Sequence, residues 1–200
     1  MKVAIIKYNA GNIQSVDYAL QRLGVEAEIT DDFNKIKSAD KVIFPGVGEA
    51  STTMDFLRER KLDQLIHDLN QPVLGICLGM QLLCKSSEEG NTDCIGIFDE
   101  EVKLFIPKSG EKNITKVPHM GWNTITNLNS KLFDASIDNQ FVYFVHSYYV
   151  TIGEHSAAEC DYIHPFSAAL HKDNYYATQF HPEKSGEVGA KILKNFIELA

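Results

Sequence analysis

Cys77 lies where a short apolar run, residues 72–76, gives way to a helical pattern, and glycines stand two positions to either side of it, at Gly75 and Gly79. Glycines at this spacing let a strand turn sharply into a helix, because their missing Cβ atoms remove the clashes of such a turn. A cysteine at the turn faces the amino-terminal end of the helix, whose dipole favours the thiolate. Most free cysteines only fill space in a core, but the flanking glycines favour a nucleophile at Cys77.

Two backbone segments could stabilise the oxyanion that forms when this sulfur attacks a carbonyl. The N–H of Leu78, directly after the predicted nucleophile, would be one donor. The loop that contains Gly46, Val47 and Gly48 follows another predicted strand, and ligands of parallel sheets gather where such strands end. It would supply the second donor. A Gly-x-Gly pattern also occurs in nucleotide-binding loops, but the third glycine of that fingerprint is missing here.

His181 and Glu183 supply the acid–base groups that a cysteine nucleophile needs. Pro182 favours an extended backbone at His181, so that side chains two positions apart would project to the same side. A carboxylate against one imidazole nitrogen fixes the tautomer, while the other nitrogen takes the thiol proton and later gives it to a leaving amine. We therefore predict a triad of Cys77, His181 and Glu183. Adjacent strand residues face opposite ways, which argues against a serine nucleophile at residues 146–147.

The elements expected to position these residues alternate between strands and helices. Apolar runs predict strands at 2–7, 25–30, 41–44 and 72–76, and helical spacing predicts helices at 13–23, 51–69 and 186–199. This order is typical of a parallel sheet flanked by helices. Short alternating stretches within residues 94–151 predict an antiparallel extension of that sheet. Because no linker or repeat marks a boundary, we predict a single α/β domain over residues 1–200.

Composition excludes several classes of protein. The chain has 200 residues, 44% of them hydrophobic, which suits a folded globular protein. Its net charge of −8 argues against a dedicated binder of nucleic acid or anionic membranes. The four cysteines form no Cys-x-x-Cys pair and the seven histidines no His-x-x-x-His pair, so we expect reduced thiols and no metal site. No apolar run has the length of a membrane span, and residues 1–7 do not form a signal-peptide core, which predicts a cytoplasmic protein.

Three motifs, in the order 45–48, 75–81 and 181–183, resemble those of the class I (triad) glutamine amidotransferases. The resemblance implies their fold and a reaction without metal or cofactor. In that reaction Cys77 attacks the side-chain amide of glutamine, His181 protonates the departing ammonia, and water hydrolyses the γ-glutamyl thioester to glutamate. Among the residues that match the family's glutamine contacts are Gln81, Ser147 and Tyr148.

Within that family, residues 8–13, 118–123 and 143–148 resemble the glutaminase subunits of imidazole glycerol phosphate synthases. Such subunits form a heterodimer with a (β/α)₈-barrel cyclase, to which they deliver ammonia. The cyclase uses it in histidine synthesis to close the imidazole ring of N′-phosphoribulosyl-formimino-aminoimidazole-carboxamide ribotide. Asn12, Trp122 and Lys184 lie in the family-specific segments, so we expect them at or near the interface with the cyclase. From the residues alone, the loop-like block around Trp122 is equally consistent with a packed loop.

Three alternatives remain open at this point. The triad would serve equally well in a related amidotransferase that feeds ammonia to another acceptor. A non-catalytic scaffold would position a partner, although it would leave the combination of Cys77, His181 and Glu183 unexplained. A thiol peptidase would need an extended substrate groove, which a sequence does not reveal.

Overall fold

Helices and strands alternate along the part of the chain that the computed structural model describes, residues 1–9, 11–107 and 116–199. The α-helices over these residues are α1 Ile13–Arg22, α2 Phe33–Lys37, α3 Ala50–Glu59, α4 Leu62–His67, α5 Leu78–Leu83 and α6 Gly186–Glu198. The strands are β1 Val3–Ile6, β2 Ala27–Thr30, β3 Lys41–Gly46, β4 Val73–Cys77, β5 Ser86–Ser87, β6 Thr92–Asp93, β7 Glu101–Leu104, β8 His119–Thr124, β9 Phe141–His146, β10 Tyr148–Val150, β11 Ser156–Asp161, β12 Pro165–Lys172 and β13 Tyr175–Thr178. Short 3₁₀ helices cover Glu89–Asn91, Ala135–Ile137 and Pro182–Lys184.

An eleven-stranded sheet has the order β2-β1-β3-β4-β13-β12-β10-β7-β5-β6, with β11 paired to β12. The strands from β2 to β13 in this order pair in parallel. Antiparallel pairing then continues the sheet through β12, β10 and β7. β8 and β9 form a separate antiparallel pair. The predicted class, a mostly parallel sheet flanked by helices with a mixed extension, is confirmed.

The parallel strands bury side chains on both faces of the sheet, because alternate residues of a strand point in opposite directions. Val3 and Ile5 of β1 pack in a cluster with residues of α1 and α6. Ala4 and Ile6 of the same strand pack in a second cluster with residues of α3, α4 and α5. The helices therefore cover the parallel strands on both faces of the sheet.

Two of the predicted elements differ in the structure. The helix expected over residues 51–69 is broken into α3 and α4, because Lys61 between them adopts a left-handed backbone with φ of 56°. The block 117–123, expected as a loop, contributes the strand β8, whose six residues pair with β9. Its strand character depends on pairing with β9, a segment further along the chain, which local sequence does not reveal.

No helix among the described residues combines the length and apolar character needed to cross a membrane.

The joint between β4 and α5 is the sharp turn that the glycines predicted. Cys77 itself has φ of 53° and ψ of −108°, a conformation that side-chain-bearing residues rarely adopt. A Cβ atom added at Gly79 would lie 2.0 Å from the carbonyl oxygen of Phe44, and one at Gly75 would lie 2.8 Å from Leu83 Cδ1. Glycine is therefore required at position 79 for α5 to pack directly against the sheet, and a side chain at position 75 would displace the buried Leu83.

Candidate active site

Cys77 lies at the carboxyl end of β4 and is only 6% exposed. It lines a cavity of about 370 Å³. The residues predicted for the nucleophile, the oxyanion hole and the glutamine contacts meet there, since the wall consists of Val47, Gly48, Cys77, Leu78, Gln81, Glu89, Pro118, Val145, His146, Ser147 and Tyr148. Gly46 is the one predicted oxyanion residue outside this wall; it ends β3 and pairs with Cys77 across the sheet.

His181 follows β13, which is the neighbour of β4 in the parallel sheet. Its Nδ1 lies 2.7 Å from Glu183 Oε1, and both side chains are completely buried. His181 is extended, as predicted, with φ of −97° and ψ of 95°. Glu183, however, lies in the 3₁₀ helix Pro182–Lys184. The two side chains thus meet because the chain turns at Pro182, and not because of the alternation of an extended strand.

The protonation of His181 follows from its two neighbours. Burial by itself lowers the pKa of the imidazole, but the Cys77 sulfur and the Glu183 carboxylate outweigh burial and raise the pKa to about 10. The imidazolium is therefore the form present at neutral pH, and it is lost only as the pH rises toward 10. Among the described residues, His181 Nε2 is buried without a hydrogen-bond partner of good geometry, which leaves it as the nitrogen available to exchange a proton with the sulfur.

Asn12, which we expected near a partner interface, is half-buried beside His181 and Glu183. Its Nδ2 donates a hydrogen bond to Glu183 Oε1 and lies 3.4 Å from His181 Nδ1. One carboxylate oxygen therefore accepts from both the amide and the imidazole. This arrangement fixes the orientation of Glu183, a role that the sequence motif did not indicate.

The loop after β3 is shaped by a buried tyrosine and a glycine. Tyr8 donates its hydroxyl to the carbonyl of Pro45, and burial raises the pKa of that hydroxyl, so it remains a donor. Gly48 has φ of 134°, which only glycine adopts without strain. Tyr8 thus holds the start of the loop at Pro45, and the backbone at Gly48 favours glycine at the end of the loop.

Gln81 lies in the buried part of the wall, one turn beyond Cys77 on α5. Its side-chain nitrogen donates to the carbonyl of Tyr148 at 3.0 Å and to Gln179 Oε1 at 2.9 Å. Both N–H bonds are thereby used within the protein. Only the amide oxygen of Gln81 is left to contact a bound molecule.

Two buried histidines, His119 of β8 and His146 of β9, form a pair that sequence analysis missed. His146 Nδ1 lies 2.6 Å from the carbonyl of Tyr148, which can only accept, so this nitrogen carries the hydrogen. Burial lowers the pKa of His146 to about 3 and that of His119 to about 4, so both rings are neutral. His146 Nε2 therefore accepts from His119 Nδ1 at 3.0 Å. The pair joins β8 to the cavity wall.

Glu89 was also missed. It lies in the short 3₁₀ helix Glu89–Asn91 and presents a carboxylate at the cavity wall. One of its oxygens accepts from the backbone N–H of Ala50 at 2.8 Å, and burial raises its pKa. The only sequence signal was its place in a polar, glycine-containing segment after α5.

Trp122 and Lys184 lie on the surface close to the buried His181–Glu183 pair. Trp122 is 55% exposed on β8, and its ring meets that of Tyr143 on β9 at a centroid distance of 5.9 Å. The carbonyl of Tyr143 accepts from the backbone N–H of His181. Lys184 is exposed one residue after Glu183. Asn12 thus contacts His181 and Glu183 directly, whereas Trp122 contacts Tyr143, which is hydrogen-bonded to His181.

Comparison with known proteins gives relatives along the whole chain. A family model described as glutamine amidotransferase class-I matches residues 4–199. The chain is 69% identical over 199 residues to the imidazole glycerol phosphate synthase subunit HisH of Bacteroides fragilis (strain YCH46), with 100% of each chain covered. It is 46% identical over 201 residues to the protein of the same name from Escherichia coli (strain K12), again with 100% of each covered.

Solved structures with this fold are more distant in sequence. A crystal structure of a glutamine amidotransferase is 17% identical, with a TM-score of 0.73, and the match covers 98% of this chain and 97% of that one. At that identity the likeness concerns the fold alone.

The influence of the sulfur on His181 can be measured directly. We expect ¹⁵N-edited NMR to give a pKa for His181 well above 6.5, near the value of about 10 that its surroundings favour. Cys77→Ser should lower that pKa by about one to three units, because the negative partner is lost while burial remains. Cys160→Ser, a buried cysteine in a different cluster, should leave the pKa unchanged. An identical His181 pKa in Cys77→Ser and in the unmodified protein would show that the two groups do not interact.

Proposed function

Because this chain belongs to the class-I glutamine amidotransferase family, we propose that it is the glutaminase subunit of an imidazole glycerol phosphate synthase. The observation that carries the proposal is the cavity at the end of β4, which Cys77 enters and beside which His181 and Glu183 are buried. Full-length identity to HisH proteins supports the choice of this synthase over other amidotransferases. A cytoplasmic location remains a prediction from the sequence.

The proposed reaction begins with the Cys77 thiolate attacking the side-chain amide carbon of glutamine. The C–N bond of the resulting tetrahedral intermediate breaks as His181 gives its Nε2 proton to the leaving nitrogen, which departs as ammonia. Water, deprotonated by the now neutral imidazole, then attacks the γ-glutamyl thioester. Glutamate leaves, and the proton on His181 and the thiolate are restored. Glu183 stabilises the imidazolium at each stage through its contact with Nδ1.

Backbone N–H groups would stabilise the negative oxygen of the intermediates. Leu78 is the first residue of α5, so its N–H has no partner within the helix. Val47 and Gly48 line the same cavity as Leu78 and would supply the second donor. Removing one such donor commonly costs a factor of about 10² to 10³ in rate.

The polar groups of the wall suit the free amino acid. The Gln81 amide oxygen can accept a hydrogen bond from the substrate, since both of its N–H bonds are used. Ser147 and Tyr148 line the side formed by β9 and β10. The Glu89 carboxylate offers a partner for the α-ammonium group of glutamine.

The proposed partner is a (β/α)₈-barrel cyclase subunit, bound as a heterodimer through the surface around Asn12, Trp122 and Lys184. Trp122 and its neighbour Met120, which is 64% exposed, form an apolar patch on β8. Exposed aromatic residues on such patches are typical anchors of protein interfaces. The glycines on either side of Val47 would let its peptide rotate, so that the oxyanion hole is completed only when the cyclase holds its own substrate.

Glutamate release from glutamine tests this function. We expect the purified chain to be nearly inactive alone and strongly stimulated by a cyclase subunit together with its ribotide substrate. Cys77→Ala should abolish release because the nucleophile is lost, while Cys94→Ser, a half-buried cysteine, should retain it. Hydrolysis that ignores the cyclase would indicate another ammonia acceptor, and no hydrolysis under any condition would indicate a scaffold.

Trp122 tests the interface. We expect Trp122→Ala to weaken cyclase binding about thirtyfold, which corresponds to about 2 kcal/mol for the loss of an interface anchor. Basal glutamine hydrolysis should not change, because Trp122 does not line the cavity. Phe33→Ala, which removes a partly exposed aromatic ring on α2, is the matched control. Calorimetric titration with unchanged affinity for Trp122→Ala would place the interface elsewhere.

A further inference from the structure

Gln179 is a completely buried amide that the reaction above does not use. It lies between the end of β13 and His181, and its backbone N–H donates to the carbonyl of Ala168. Its side-chain nitrogen lies 3.7 Å from Cys77 Sγ, within reach of a hydrogen bond to sulfur. A buried amide next to a cysteine can present either an N–H or its oxygen to the sulfur. The N–H would stabilise the thiolate, and the oxygen would destabilise it.

A backbone carbonyl decides which end of Gln179 faces the sulfur. The Tyr148 carbonyl can only accept, so the Gln81 atom 3.0 Å from it is the nitrogen. The same nitrogen lies 2.9 Å from the Gln179 side chain, which must therefore present its oxygen there. The NH₂ group of Gln179 is left facing Cys77.

The reverse orientation would leave unpaired groups in a buried site. Gln179 would then turn its N–H groups toward the N–H of Gln81 and its oxygen toward the sulfur. Two donors would face each other, which costs the desolvation of both. The chain of hydrogen bonds from Tyr148 through Gln81 and Gln179 to Cys77 is therefore satisfied in one direction only.

Cys77 has a second polar neighbour with the opposite effect. The carbonyl of Val145 lies 3.9 Å from the sulfur and can only accept the thiol proton. Val145 thus suits the neutral thiol, whereas the N–H of Gln179 suits the anion. Once the proton has moved to His181, Gln179 offers the sulfur a donor.

We propose that Gln179 is a catalytic residue of this site, whose side-chain N–H stabilises the Cys77 thiolate and whose orientation is fixed by Gln81 and the Tyr148 carbonyl. The inference rests on the proposed function only in treating Cys77 as the nucleophile. The test measures the ionisation of the Cys77 sulfur and not glutamine hydrolysis. Failure of the proposed function and failure of this inference therefore give different results.

The experiment is the pH dependence of Cys77 alkylation by iodoacetamide, followed by peptide mass spectrometry on the full chain. The other three cysteines should react slowly with iodoacetamide, because they stay protonated. Burial raises the pKa of Cys94 and of Cys160 to about 12 and that of Cys84 well above its ordinary value. Gln179→Met should move the pH midpoint of Cys77 alkylation upward by about one to two units, the effect of losing a hydrogen bond to a charged group. Gln179→Glu should move it at least as far, because a carboxylate repels the anion.

Gln71→Met is the matched control. Gln71 also donates from a partly buried side chain to a backbone carbonyl, that of Ile36 at 2.8 Å, but it precedes β4 while Cys77 ends that strand. The pH midpoint of Cys77 alkylation in Gln71→Met should equal that in the unmodified chain. Unchanged midpoints in folded Gln179→Met and Gln179→Glu would overturn the inference.

A second measurement needs no substitution at Gln179, in case its variants do not fold. In the unmodified chain, the ¹H–¹⁵N signal of the Gln179 side-chain amide should shift with the same midpoint as Cys77 alkylation. The shift should vanish in Cys77→Ser. A Gln179 signal that is insensitive to ionisation of the sulfur would contradict the proposed hydrogen bond.

Discussion

The strained backbone at Cys77 is the constraint on which the site depends. A residue with a side chain at φ of 53° costs about 1–3 kcal/mol and persists only where surrounding structure holds it. Here β4 is fixed on both edges by parallel pairing with β3 and β13, and α5 is pressed onto β3 where Gly79 meets Phe44. These contacts prevent the backbone at Cys77 from relaxing into a regular strand conformation. The packed core thus maintains the strained backbone, which holds the Cys77 side chain at the cavity.

A second constraint is that the polar groups around the sulfur are buried and must be paired in a definite direction. The Tyr148 carbonyl accepts from both Gln81 and His146, and this sets the orientation of the buried groups connected to each. One series of hydrogen bonds leads through Gln81 toward Cys77, and the other leads through His146 to β8. Because the two histidines are neutral, the network needs no counter-charge. The buried pair of His181 with Glu183 is the one that the proposed reaction would use.

Sequence analysis succeeded where geometry is set by a few neighbouring residues. The sharp turn between β4 and α5 was predicted from the glycines around Cys77. The contact between His181 and Glu183 was predicted from their spacing of two residues, although a turn at Pro182 and not an extended strand brings them together. It failed where distant segments pair. The strand β8, the His119–His146 pair and the role of Gln179 all depend on contacts between segments that are distant along the chain, and no local pattern distinguishes such residues from ordinary core or loop. The break at Lys61 was missed because apolar spacing continues through it.

The most direct test of the account is to trap the covalent intermediate. The chain, combined with a cyclase subunit and its ribotide, would be mixed with glutamine, quenched in acid within the first turnovers and digested for mass spectrometry. We predict a γ-glutamyl group on the peptide that contains Cys77 and on no other cysteine peptide. Glutamate release without any adduct on that peptide, or with an adduct on another cysteine, would contradict the assignment of Cys77 as the nucleophile.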